Sequence, residues 1–129
     1  MKKTAFILVL AILLSFTGCS GSGKPDDMNE EVYKQGLIVI DVCDDYIDGK
    51  ISDDNALIEI EKAYNRIEKY KDDENSSVTD YVTCVHISLM IIAFDLISIN
   101  EKSYYENKNE ILESRNILAE RLNEKTRKQ

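Results

Sequence analysis

The chain has 129 residues, with 24 acidic against 16 basic side chains, one histidine, three cysteines, one proline and no tryptophan. That is enough material for one domain. The acidic balance argues against a nucleic-acid partner, which needs lysine and arginine to displace counterions from phosphates. A single histidine with no clustered ligands argues against a zinc or haem centre, and no cofactor is expected.

The amino terminus sets the compartment. Lys2 and Lys3 form a short positive region, and Ala5 to Leu14 is an unbroken apolar run of ten residues. Such a run is too short to cross about 30 Å of hydrocarbon but suits the core of a signal peptide. It is followed by Ser15, Phe16, Thr17, Gly18, Cys19 and Ser20, with small residues at the two positions before the cysteine. The stretch Phe16-Thr17-Gly18-Cys19 resembles the lipobox of bacterial lipoproteins, with Phe16 where leucine is usual. The resemblance implies that the Cys19 thiol takes a diacylglyceryl group, that the leader is cut after Gly18, and that Cys19 becomes the first residue of the mature chain. It also implies a place on the extracytoplasmic face of the cell membrane. Each buried methylene contributes about 0.8 kcal/mol, so two or three chains hold a domain firmly where one does not.

The expected organisation is therefore a signal peptide over 1–18, a lipidated tether over 19–26 and a helical domain over 27–129. The leader carries two lysines and no acid, so the mature chain has 14 basic against 24 acidic side chains, a net of −10. Ser20 to Pro25 reads as a flexible spacer.

Four helices are predicted beyond it. Asp26 and Asp27 can cap a first helix running to about Asp48, with Val32, Gly36, Val39, Ile40, Cys43, Tyr46 and Ile47 on its inner face. Leu37 to Ile40 could also be a buried strand, but Asp41, Asp44, Asp45 and Asp48 fall at helical spacing, and a strand would scatter them onto both faces. Gly49 supplies a left-handed stop, Ile51 can fold back, and Ser52 with Asp53 and Asp54 opens a second helix to about Lys71, with Leu57, Ile60, Tyr64 and Ile67 inside. A third helix, about Val78 to Ile99, is apolar on nearly all sides. It reads as a central core helix rather than a membrane span, because Asp80, His86 and Asp95 interrupt it. A fourth, about Ser103 to Lys125, carries Ile111, Leu112, Leu118 and Leu122. Short connections make this an all-α, antiparallel four-helix bundle, and no internal repeat is found.

Little chemistry can be placed on it. From Asp44 to Asn55 the chain has part of an EF-hand arrangement, with Asp44 first, Asp48 fifth, Gly49 sixth and Ser52 ninth. Tyr46 stands where a third-position oxygen belongs, and Asn55 where a bidentate glutamate should close the shell. A helix stop followed by a helix cap explains the same residues. A divalent-cation sensor using this turn, or an accessory subunit of an envelope complex, is the secondary functional reading.

Cys43 and Cys84 remain once Cys19 is lipidated, and an exported protein can hold a disulfide. A bridge between them competes with two small buried residues, since helices one and three lie on opposite corners of a simple bundle. His86 has no serine, cysteine or acid at a sequence spacing that implies a relay, and the tyrosines read as core residues with wet hydroxyls.

The turn after helix one gathers Asp44, Asp45, Asp48, Asp53 and Asp54, whereas Lys125, Arg127 and Lys128 are expected to return to the anchored end. That polarity would hold the acidic tip outward, either as a partner-binding surface or as a solvated turn carrying helix-terminus charges. The expectation is a non-enzymatic surface lipoprotein that binds another envelope or secreted protein. Small helical lipoproteins that block conjugation, phage entry or a toxin are similar in size and layout.

Overall fold

The computed structural model describes residues 23–99 and 104–128. The leader, the lipobox-like motif and Cys19 lie outside the described residues. The rest is an all-α four-helix bundle: α1 (Glu30–Ile47), α2 (Asp53–Ile67) extended by a 3-10 turn (Glu68–Lys71), α3 (Val78–Ile99) and α4 (Tyr104–Arg121). Each helix packs on the next, and α4 closes the ring by touching both α1 and α3. Helices α1 and α3 are therefore diagonal neighbours that run in the same direction.

Local chemistry accounts for the boundaries. Asn29, rather than Asp26 or Asp27, caps α1: its side chain accepts from the Glu31 backbone N–H at 2.8 Å. Gly49 ends that helix at φ 72°, with its own N–H donating to the Tyr46 carbonyl and the Lys50 N–H to the Asp45 carbonyl. These are the two hydrogen bonds of a Schellman stop. Ser52 then accepts from the Asn55 N–H at 3.2 Å to open α2.

Asp80 explains an acid inside an apolar helix. It is buried, its Oδ1 accepts from the Asn29 N–H at 2.8 Å, and Ser77 Oγ accepts from the Asp80 N–H at 3.0 Å. One carboxylate thus joins the start of α1 to the start of α3, satisfying donors that helix beginnings leave open. The amino-terminal end of the bundle is further knit by Thr79 donating to Asp27, and by Asn123 donating to the Gly23 carbonyl at 3.0 Å. Gly23 to Met28, expected in part as free tether, belongs to the bundle, and Met28 is buried in the core.

The core is filled by side chains such as Val39, Ile60, Ile67, Ile87, Phe94 and Leu118. Tyr46 meets the Phe94 ring edge to face, with centroids 5.0 Å apart. Gly36 permits close approach of α1 and α4, since a Cβ there would lie 2.7 Å from Leu122 Cδ1.

Helix α4 ends earlier than its amphipathic pattern suggests. Asn123 takes φ 56°, its N–H donates to the Glu120 carbonyl and the Glu124 N–H donates to the Ala119 carbonyl. This second Schellman stop uses asparagine, one of the few side chains that tolerate the left-handed region. It reverses the chain, so residues 124–128 run back along α4.

Candidate functional site

The returning tail changes the acidic turn. Asn116 grips it from both sides, donating to the Arg127 carbonyl and accepting from the Arg127 N–H, each at 2.7 Å. Arg115 donates to the Lys125 carbonyl at 2.7 Å and forks onto Asp44, with Nε 3.0 Å from Oδ1 and Nη2 2.8 Å from Oδ2. Arg127 adds an ion pair to Asp44 at 3.4 Å and another to Asp48. Lys50 reaches Asp45 at 2.9 Å and Asp48 at 3.4 Å. The hydrogen bond from Arg127 holds the Asp48 carboxyl below the usual carboxylate range.

One expectation is corrected by this geometry. Arg127 does not lie at the amino-terminal end of the bundle, where it was expected, because the Asn123 reversal carries it to the far turn. Of the five carboxylates expected to face a partner, Asp44, Asp45 and Asp48 are engaged by cations of the same chain. Asp53 and Asp54 lie in the first turn of α2, where the helix dipole favours them. Asp44, first in the EF-hand-like stretch, is forked by Arg115, so a cation there would compete with a guanidinium already in place. Among the described residues no three His, Cys, Asp or Glu side chains converge to hold a metal ion.

The two cysteines of the described residues are not bridged. Cys43 and Cys84 are free and buried, one on each of two diagonal helices. Cys84 Sγ donates to the Ile67 carbonyl at 3.4 Å. Burial pushes the Cys84 thiol up to about 11 and raises that of Cys43 further, so neither forms the reactive thiolate at neutral pH.

The fold also creates a pairing that sequence spacing did not disclose. His86 Nε2 on α3 lies 2.9 Å from Ser114 Oγ on α4, a separation of 28 residues along the chain. Burial pulls the imidazole down to about 3, and the charge of Arg121 acts in the same direction. A serine beside an imidazole is half of an acyl-transfer relay. Here, however, Nδ1 has no partner among the described residues, and the two side chains are only 1 % and 5 % exposed. Among the described residues no acid contacts the ring, and with both side chains buried the pair makes a polar contact within the core.

The face that remains available is on α3. This helix was expected to be enclosed, and that is true of one side only: Val82, Cys84, His86, Ile87, Met90 and Phe94 point inward. A helix in a four-membered ring always has one side turned outward. On α3 that side is apolar as well, with Val78 64 %, Tyr81 49 %, Ile92 51 %, Leu96 49 % and Ile99 73 % exposed. Val85 and Leu89, half-buried, fill the gap between them. With 22 residues, most of them apolar, α3 meets the length and composition of a membrane span. Its inner face nevertheless carries Asp80 and His86 with partners on other parts of the same bundle. No protein-family model, curated protein or solved structure matches the chain. The outer stripe of α3 is therefore the candidate site on physical grounds alone. Apolar patches of several hundred Å² on a folded surface mark places of contact.

Proposed function

We propose that this chain is an extracytoplasmic lipoprotein, fastened to the cell membrane through Cys19, whose helical bundle is a non-catalytic protein-binding module acting in exclusion or immunity. The observation that carries the binding role is the outer face of α3, where five large apolar side chains stand exposed along one helix. Folding does not need them there. The lipobox-like motif supports the anchor, and the sealed His86–Ser114 pair supports a role without catalysis. The acidic turn contributes less to recognition in this reading, because Asp44 and Asp48 are engaged in holding the tail.

Two measurements test it. Labelled palmitate should enter the wild-type chain and not Cys19→Ser, and the variant should leave the membrane fraction. A photoreactive side chain at Ile92 or Leu96 should crosslink the displayed domain to protein, whereas one at Glu61 or Lys62 of α2 should not. Equal labelling of Cys19→Ser removes the anchor, and equal crosslinking from both helices removes the binding face.

A further inference from the structure

The outer stripe of α3 has an internal symmetry that points to its occupant. Its apolar members are Val78, Tyr81, Val85, Leu89, Ile92, Leu96 and Ile99, at the three- and four-residue steps of a coiled-coil seam. Counted from either end, six of the seven positions match about a midpoint between Ser88 and Leu89, 78 with 99, 81 with 96, and 85 with 92, while Leu89 lies beside the midpoint at the level of Ser88. A helix with such a seam fits a reversed copy of itself. Two-fold contacts are isologous, so each stripe residue must find its complement on the same patch of the other molecule.

We propose that the outer face of α3 binds the same face of a second copy of this chain, antiparallel, with the two-fold axis passing between Ser88 and Leu89. This rests on the reading of the stripe as a protein-binding face and names its partner. In that register Val78 packs on Ile99 of the second copy, Tyr81 on Leu96, and Val85 on Ile92, while the two Leu89 side chains meet at the centre. No ionised side chain lies within the seam. Asp95, exposed at its edge, comes beside Tyr81 of the second copy, an acceptor next to a hydroxyl donor, once at each end.

Size and charge set the strength. At about 1.5 Å per residue the seam is about 33 Å long, and each copy offers on the order of 500 Å² of apolar surface. Two copies together bury on the order of 1,000 Å², the low end of specific interfaces. Each mature copy also carries a net charge of −10. The pair is therefore weak in dilute solution and strengthened by salt. Confinement of both copies to one membrane through Cys19 raises their effective concentration and favours it.

The test is oxidative crosslinking of the full-length gene product on living cells, read as homodimer on non-reducing gels. Cys43 and Cys84 are buried, and the unaltered chain sets the background. Ser88 is half-buried and accepts a near-isosteric replacement. Ser88→Cys should form homodimer at least tenfold above background. Val78→Cys and Ile99→Cys should each form little alone but crosslink to one another when co-expressed. Adding Ile92→Glu to Ser88→Cys should remove the dimer, and Ile92→Leu should restore it. Self-crosslinking of Val78→Cys as strong as that of Ser88→Cys would indicate a parallel pair and overturn the proposal. Adducts of Ser88→Cys to a different protein would overturn the second copy while leaving the protein-binding reading in place. Absence of any protein adduct at Ser88, together with shielding of a Ser88 fluorophore by liposomes, would remove both and give the face to lipid.

Discussion

The two faces of α3 are nearly alike in composition and opposite in situation. The inner one holds Ile87, Met90 and Phe94 at no more than 1 % exposure; the outer one leaves Ile92, Leu96 and Ile99 half or more in water. Apolarity therefore does two separate jobs on one helix. Inside, it drives folding; outside, it contributes almost nothing to the fold of a single copy and is free to serve contact. The same comparison shows why the polar residues of α3 differ in importance. Asp80 and His86 face inward and have specific partners, whereas Asp95 faces outward at the edge of the stripe.

The contrast can be broken most severely at Phe94. Replacing it with alanine leaves a cavity beside Tyr46 and should cost about 3–5 kcal/mol in urea unfolding. Acid attacks the same face at His86. Its folded value lies near 3 against an unfolded value of 6.5, so the unfolded chain takes up the proton first. Stability is then complete above about pH 6.5 and falls as the pH drops, by about 2 kcal/mol at pH 5. Melts between pH 8 and 5 should show that slope, and His86→Leu should flatten it. Over this range Asp48 keeps its charge, because its hydrogen bond from Arg127 holds the carboxyl lower still.

At the start of the helix, Asp80→Ala strips acceptors from two helix beginnings and should cost about 1–3 kcal/mol, with Asp80→Asn milder because it retains one oxygen. The smallest effect belongs to the outer face. Ile92→Ser should change the unfolding free energy of the single copy by about 0.5 kcal/mol or less. A loss at Ile92 comparable to that at Phe94 would mean that both sides of α3 are core.

Much of the fold was legible in advance because its signals are local. The Gly49 stop, the Ser52 cap and the beginning and end of α3 follow from residues within a few positions of one another. The start of α1 was misplaced because Asp26, Asp27 and Asn29 are all good caps. Asn29 prevails through the contact its backbone makes with Asp80, 51 residues away. The end of α4 was extended to Lys125 because leucine spacing carries no notice of a left-handed asparagine. That oversight displaced the tail, and with it the partner of Asp48. The Ser114–His86 contact was illegible for a related reason, since it joins two helices and has no characteristic spacing.

Composition and periodicity alone determined that the domain after the amino-terminal segment is helical, acidic and small, because helical spacing and capping act over one or two turns. The tertiary structure decided which side of an all-apolar helix is covered, which aspartates are neutralised and where the chain end lies. Those outcomes depend on how far each helix extends before it turns and on which neighbour it then meets, and such distances are set only when four helices pack together.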